Sequence, residues 1–209
     1  MINPASLALG TKRNTIMELA DYGRSRAAIV GKENVFDFSI GNPSIPAPEL
    51  VQNTLLDILQ NTDPIAVHGY TSTMGDPKVR AAVAQDLCKR FDCDAQAEEI
   101  MLCCGAAPEV AAACKALTTK DAEILVFAPY FPEYKPYVEQ AGAVFRIVPA
   151  DIPHFQINFE ALEAMIGPNT TAVIVNNPNN PVGTVYSEAT IRRLAKRRLQ
   201  RAVEQGNIP

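Results

Sequence analysis

Apolar and polar residues alternate in blocks along the second half of the chain. Continuous apolar runs occupy residues 100–103, 124–127, 144–148 and 172–175, and the segments between them place apolar residues at the three-to-four spacing of a helix. Strands that are apolar throughout are typical of a parallel sheet covered by helices on both faces. The pattern therefore predicts an α/β fold with a mostly parallel sheet of four strands.

The first half of the chain has a different pattern, which predicts a helical arm. Residues 12–30 have helical spacing, and residues 35–40 alternate like a short strand before a turn-forming segment. Three further helix starts are predicted, because Pro48 and Pro77 suit the first helical turn and Asn158 suits the capping position. We expect an N-terminal arm that leads into the α/β part of the chain.

Composition and element order divide the chain into three predicted segments. Residues 1–47 form the N-terminal arm and a segment of a smaller domain, residues 48–195 form an α/β domain, and residues 196–209 form a basic tail. The α/β domain is predicted to be incomplete, since no further strand follows the helix at residues 187–195. We expect the missing strands to leave apolar surface exposed and the isolated chain to be poorly soluble.

The overall composition is that of a globular protein. The chain has 209 residues, of which 47% are hydrophobic and 20% charged, with a net charge of −4. It contains neither an apolar run of membrane-spanning length nor a signal-peptide pattern, which predicts a cytoplasmic protein without a membrane partner. Residues 187–209 carry six Lys or Arg against two Glu, but no aromatic residues are interleaved with them. We therefore do not expect a nucleic-acid partner.

Cysteine and histidine residues show no metal-binding pattern. His68 and His154 lie far apart, with no Cys or carboxylate at metal-ligand spacing, so no metal ligand is predicted. The cysteines are odd in number and lie in apolar contexts without a Cys-x-x-Cys pair, which predicts buried, reduced thiols. They are Cys88, Cys93, Cys103, Cys104 and Cys114.

Small residues after the predicted strand at residues 100–103 form a candidate phosphate site. Gly105, Ala106 and Ala107 precede Pro108, which lacks an N–H and therefore suits a first helical turn. Unpaired N–H groups at the start of a helix bind phosphate, although a glycine at such a turn often has only a structural role. A dinucleotide-binding module of the Rossmann type is the rival interpretation, and the absence of Gly-x-Gly-x-x-Gly disfavours it.

Five separated motifs occur in one order along the chain. They are Gly41-Asn-Pro-Ser44, Tyr70-Thr-Ser-Thr-Met-Gly75-Asp-Pro-Lys-Val-Arg80, Gly105-Ala-Ala107, Pro129-Tyr-Phe-Pro132 and Asn176-Asn-Pro-Asn-Asn-Pro-Val-Gly183. In this order and spacing they resemble the class I/II aminotransferases of fold type I, over about residues 12–195. The resemblance implies the N-terminal portion of such an enzyme, with a partial, mostly parallel sheet of its large domain and pyridoxal 5′-phosphate as cofactor.

The resemblance also implies roles for individual residues in holding the cofactor. Gly105, Ala106 and Ala107 correspond to the turn that binds the phosphate through backbone N–H groups. Phe131 corresponds to the aromatic residue that stacks on the pyridine ring, and Asn180 to the asparagine that donates to the phenolic oxygen. These five residues are the predicted contacts to the cofactor bound by the same subunit.

The same resemblance implies two further roles, and the sequence departs from the family pattern at three places. Tyr70 corresponds to a tyrosine that reaches across a homodimer to the phosphate of the other subunit, and Gly41 to a glycine whose backbone contacts the substrate carboxylate. Ser44 stands where the family commonly has Asp, and Val182 stands where Thr is common. Alanines at the phosphate turn supply no hydroxyl, so phosphate affinity is expected to be lower.

The family's Schiff-base lysine and pyridine-pairing aspartate have no counterpart in the sequence. None of the eight lysines lies in a motif like that of the family, so no catalytic residue is assigned. A frameshift or premature stop near residue 196 would explain both this absence and the basic tail. We therefore expect this chain by itself to be inactive.

By resemblance, the function is transfer of an amino group between an amino acid and a 2-oxo acid. Two alternatives stay open from the sequence: a non-catalytic fragment or partner subunit of such an enzyme, and a pyridoxal-phosphate-dependent lyase of the same fold. The sequence does not identify the amino acid substrate.

Overall fold

The computed structural model describes the backbone of residues 2–11, 15–41, 43 and 45–204, and the side chains of the same residues except 5 and 197–204. The predicted helix start at Lys12 and two residues of the first motif, Asn42 and Ser44, lie outside the described residues. The chain divides into two compact units, Met1–Tyr70 and Thr71–Pro209. The predicted boundaries at 47/48 and 195/196 concern the domains of a larger protein and stay predictions.

Helices make up the regular structure of the first unit over its described residues. The helical arm predicted from residue 12 to 30 is found over the part that is described. The α-helices are α1 (Pro4–Thr11), α2 (Thr15–Val30), α3 (Glu49–Asn61) and α4 (Pro64–His68). A short 3-10 helix occupies Lys32–Asn34.

The second unit alternates helices and strands, as the apolar pattern predicts. Its elements are α5 (Pro77–Phe91), a 3-10 helix (Ala97–Glu99), α6 (Ala106–Leu117), β1 (Glu123–Phe127), α7 (Tyr134–Ala141), β2 (Val144–Val148), α8 (Phe159–Met165), β3 (Thr170–Ile174) and α9 (Glu188–Glu204). Within the part of the chain that is described, no helix is both long and apolar enough to cross a membrane.

The helix starts predicted at Pro48, Pro77 and Asn158 are confirmed to within one residue, and two of the three helices have a capping side chain, whereas the helix after Pro48 has none. Asp76 precedes Pro77 and accepts hydrogen bonds from Lys78 N (2.8 Å) and Val79 N (3.2 Å). Asn158 Oδ1 accepts from Ala161 N at 3.0 Å. These side chains satisfy N–H groups that have no partner within their own helix.

The three strands form a parallel sheet in the order β2-β1-β3. β1 pairs with β2 from Glu123 opposite Val144 to Phe127 opposite Val148. On its other side β1 pairs with β3, and the register shifts between Glu123 and Ile124. Because β1 is central, Ile124 to Phe127 are all buried. The predicted fold class, α/β with a partial parallel sheet, is confirmed.

Helices cover both faces of this sheet. On one face Ile124 packs with residues of α6 and α7, among them Cys114 and Val138. On the other face Leu125 packs with residues of α8 and α9, among them Leu162 and Leu194. Alternate residues of β1 therefore serve two separate cores, which explains why the strand is apolar throughout.

The predicted strands at residues 100–103 and 35–40 are wrong. Both segments lack regular structure, and the sheet has three strands among the described residues instead of the predicted four. An extended segment becomes a strand only when a neighbouring strand pairs with its N–H and C=O groups. Neither segment has such a neighbour here, and apolar side chains such as Phe38 and Met101 are left exposed.

The prediction that all five cysteines are buried is also wrong. Cys114 is buried and Cys88 is partly buried, whereas Cys93, Cys103 and Cys104 are exposed. Cys93 follows the end of α5, and the other two exposed thiols lie in the unpaired segment at residues 100–105. All five thiols are free.

Candidate functional site

The turn before α6 presents free backbone N–H groups. Gly105 is the N-cap residue, with φ 89° and ψ 171°, and no described side chain caps the helix. The N–H groups in a first helical turn have no partner within the helix, and the helix dipole makes this end positive. Pro108 removes one of these N–H groups, which leaves Ala106 and Ala107 as donors. This arrangement suits an oxyanion.

Open space surrounds Gly105, so a ligand can approach the turn. A Cβ built on this residue would meet no described atom within 4 Å. Its φ of 89° nevertheless lies in a region that side chains rarely adopt, so the turn requires glycine for its conformation. Cys103 precedes the turn, and desolvation together with the neighbouring Glu109 raises the pKa of its thiol. The thiol therefore stays neutral near the turn at neutral pH.

The loop that follows β3 is held by its asparagines. Asn179 is only 7% exposed, and its Nδ2 donates to the carbonyl oxygen of Pro129 at 3.1 Å. Asn179 N–H donates to Thr184 O at 2.9 Å, and Gly183 N–H donates to Asn179 O at 2.7 Å. Asn177 Oδ1 accepts from Tyr186 N at 2.8 Å. The loop at residues 176–183 is thereby closed and attached to the loop that follows β1.

Asn176 attaches the loop at residues 176–183 to the start of α7 as well. With its carboxamide oxygen facing the loop, it accepts from Asn180 N at 3.1 Å and from the Tyr134 hydroxyl at 3.2 Å. Its nitrogen then donates to Pro178 O at 2.9 Å. Asn180 itself is exposed, and its carboxamide makes no hydrogen bond to any residue that the structure describes. Its backbone is fixed while its side-chain donor stays available.

Phe131 lies in the loop that Asn179 holds. Its ring packs edge-on against Tyr134, with the centroids 5.6 Å apart, and Tyr134 N–H donates to Phe131 O at 3.1 Å. The ring is partly exposed. These contacts fix the ring while leaving part of it accessible to a ligand.

Three predicted features share one edge of the sheet. β1 and β3 are adjacent and parallel, so the loops that carry Phe131 and Asn180 leave the sheet at the same end. α6 precedes β1 and packs on Ile124 through Val110 and Cys114. A helix that leads back into a parallel strand runs antiparallel to it, so α6 begins near the carboxyl ends of the strands, where ligands bind in such folds. The turn beginning at Gly105 therefore lies at this edge.

Two predicted site residues belong to the first unit. Tyr70 is its last residue and is fully exposed, and Gly41 is exposed in a segment without regular structure. Binding of the cofactor phosphate by Tyr70 and contact of Gly41 with the substrate carboxylate stay predictions.

A sequence model of a known family matches this chain. The model describes aminotransferases of class I and II, and it matches residues 33–202, which include the turn before α6 and both loops of the candidate site. The chain belongs to the class I and II aminotransferases. The aminotransferase resemblance inferred from the five motifs is thereby confirmed.

Solved and curated members of the family resemble the chain over two thirds or more of its length. An aminotransferase from Eubacterium rectale has 48% sequence identity and a TM-score of 0.95, covering 99% of this chain and 52% of its own. An aspartate aminotransferase from Thermotoga maritima is 30% identical over 84% of this chain and 46% of its own length. A probable N-succinyldiaminopimelate aminotransferase from Mycobacterium tuberculosis is 31% identical over 68% of this chain and 36% of its own. The chain thus spans about half the length of these family members, or less.

Sequence reasoning missed the contribution of Asn179 to the geometry of the candidate site. The motif contains Asn179 and Asn180 side by side, and the resemblance singles out only the second. Nothing in the residue types tells which carboxamide is buried, because that depends on the loop carrying Pro129, which lies 50 residues away in sequence. The run of asparagines was the available signal.

Proposed function

We propose that this chain supplies the phosphate-binding and ring-binding part of a pyridoxal-phosphate aminotransferase. The observation that carries the proposal is the convergence of a free helix start with two mutually attached loops at one sheet edge. When bound, pyridoxal 5′-phosphate carries the amino group between an amino acid and a 2-oxo acid. The whole protein would be a cytoplasmic homodimer in which Tyr70 and Gly41 complete the site.

The residues present fit the three parts of this cofactor. The N–H groups of Ala106 and Ala107 would hold the phosphate, and the open space at Gly105 admits it. Phe131 would pack against the pyridine ring and orient it. The free Nδ2 of Asn180 would donate to the phenolic oxygen. The backbone N–H of Asn180 is bonded to Asn176, which holds the residue in place for this contact. Each group thus binds or orients a different part of the cofactor.

The chemical step needs groups beyond those assigned above. A lysine must bind the cofactor and move a proton, and a carboxylate must pair with the pyridine nitrogen. We place both in the part of the relatives' length that this chain does not span. The relatives act on different amino acids by name, so the family resemblance does not identify the substrate of this chain.

Noncovalent binding of a cofactor analogue tests the phosphate turn. Pyridoxine 5′-phosphate has an alcohol in place of the aldehyde and cannot react with lysines, so it reports the noncovalent site alone. Phosphorus NMR titration of the 209-residue chain should show saturable binding that inorganic phosphate displaces.

Replacing Gly105 with alanine should weaken this binding about tenfold, because strain of about 1–3 kcal/mol at its positive φ displaces the turn. Gly167→Ala is the matched control, since a Cβ there also meets no described atom within 4 Å and its φ is ordinary. If the two variants bind the analogue equally, the phosphate is not held at this turn.

A further inference from the structure

We propose that Gly75 is a positioning residue that sets the phosphate-binding turn through Leu102. The inference rests on the proposed function of the turn at Gly105, Ala106 and Ala107. It assigns a purpose to the glycine of the second motif, which makes no predicted contact with cofactor or substrate. The contact between Gly75 and Leu102 lies within the second unit.

Leu102 lies against Gly75 at a distance that only glycine permits. A Cβ on Gly75 would lie 2.6 Å from Leu102 Cδ1 and 2.7 Å from both its Cβ and its Cγ. Ordinary contacts between carbon atoms are about 3.5–4.0 Å. Because the nearest atoms include Cβ, a rotation of the leucine side chain does not relieve the overlap, and the backbone of one segment must move.

Backbone hydrogen bonds fix the two segments to each other at the same point. Leu102 N–H donates to Met74 O at 3.0 Å. On the other side, Gly75 N–H donates to Ser72 O at 2.8 Å, and the Ser72 hydroxyl donates to Gly75 O. Asp76 then caps α5 directly after the glycine. The loop at residues 72–76 is therefore the better anchored side, and an added methyl group displaces Leu102.

A second attachment fixes the start of the displaced segment. Arg80, on α5, donates from Nη1 to Ala97 O at 2.9 Å. Ala97 begins the 3-10 helix Ala97–Glu99, at whose start Gln96 N–H donates to Glu99 Oε2 at 2.9 Å. The chain from residue 97 to 105 is thus held at its start by Arg80 and at its middle by Gly75.

Movement at Leu102 reaches the phosphate turn because only two residues intervene before Gly105. Gly105 N–H donates to Cys103 O at 2.9 Å, which couples the turn to this short segment. Lengthening a 2.6 Å carbon–carbon distance to an ordinary contact needs a shift of about 1 Å. Hydrogen bonds from backbone N–H groups tolerate only about 2.7–3.2 Å, so such a shift removes them from a bound phosphate.

Gly142 provides a matched control for the backbone strain. Both glycines have φ of +95°, but the nearest atom to a Cβ on Gly142 is Thr118 Cγ2 at 4.0 Å. Alanine at either position meets the same unfavourable φ. Only alanine at Gly75 also meets Leu102.

The test compares pyridoxine 5′-phosphate with pyridoxine, which lacks the phosphate, on the full 209-residue chain. In Gly75→Ala the preference for the phosphorylated compound should fall about tenfold relative to the unchanged chain, the equivalent of losing one charge-assisted hydrogen bond. Gly142→Ala should keep the preference. A purely structural role for Gly75 would weaken binding of both compounds alike. Equal preferences in the two variants would overturn the inference.

Two hydrogen-exchange measurements test the positioning role of Gly75 without cofactor binding. Hydrogen exchange at residues 101–107 should accelerate in Gly75→Ala and not in Gly142→Ala. Adding Leu102→Gly to Gly75→Ala should bring exchange back toward that of Leu102→Gly alone, because all three overlapping atoms, Cβ included, are then removed. If the unchanged chain shows no preference for the phosphorylated compound, the proposed function fails. If the preference is present and exchange is equal in both glycine variants, only the positioning role fails.

Discussion

A chimera that joins residues 1–195 of this chain to the C-terminal half of the Eubacterium rectale aminotransferase should transfer amino groups, whereas this chain alone should not. The two proteins are 48% identical, with a TM-score of 0.95 over 99% of this chain and 52% of the relative. At such similarity the elements of this chain that would face the relative's C-terminal half are expected to match those of the relative. The chimera therefore receives the lysine and carboxylate that the proposed chemistry requires.

The junction after Ala195 preserves the packing of this chain. Leu194 is buried in the core cluster with Leu125 and Leu162, and Ile191 packs against the same cluster. Arg193 lies over the ring of Phe159 at 3.9 Å. α9 is thus integrated into the fold up to the junction.

Turnover of the chimera is measured with a panel of amino acid donors and 2-oxo acid acceptors. The intact relative serves as the positive control, and the chimera carrying Asn180→Ala should lose about tenfold in activity, since one hydrogen bond to the cofactor is removed. A folded chimera that binds the cofactor and catalyses no transfer would contradict the prediction.

The 209-residue chain should self-associate at micromolar concentration and bind hydrophobic dyes, and the chimera should do both far less. α3 is the clearest cause, because it has no buried residue although six of its 13 positions are apolar. Its exposed large apolar residues are Leu50, Val51, Leu55, Leu56, Ile58 and Leu59. An amphipathic helix with an unburied apolar face normally packs against another surface.

Substitutions on α3 separate association from stability. Leu55→Gln together with Leu59→Gln should lower self-association and leave the free energy of unfolding nearly unchanged, since neither side chain is buried. Leu162→Gln is the matched control, because Leu162 is fully buried and its replacement should abolish folding of the second unit. Sedimentation and chemical unfolding give the two quantities. A sharp cooperative melt from a monomeric, dye-free chain would contradict the account.

The sequence predicts those parts of the fold whose partners are also in the chain. The strands at residues 124–127, 144–148 and 172–175 were placed to within two residues, because each pairs within one sheet and packs against helices of the same unit. Residues 35–40 and 100–103 have strand-like composition and no neighbouring strand. Strand formation is a property of a pair, and a single apolar run does not determine it.

The residue types of the candidate site were predictable from the sequence, and the connections between its segments only partly. Five motifs identified the family, and three of them occupy one sheet edge. The attachment of Asn179 to Pro129 and the close approach of Gly75 to Leu102 depend on distances between segments that are far apart in sequence. Residue types alone do not encode such distances.

The most direct test of the central claim is a crystal structure of the chimera with pyridoxal 5′-phosphate. The account predicts the phosphate on the N–H groups of Ala106 and Ala107, the ring against Phe131, and the phenolic oxygen within hydrogen-bond distance of Asn180 Nδ2. A phosphate bound away from the start of α6, or a ring that contacts neither Phe131 nor Asn180, would contradict it.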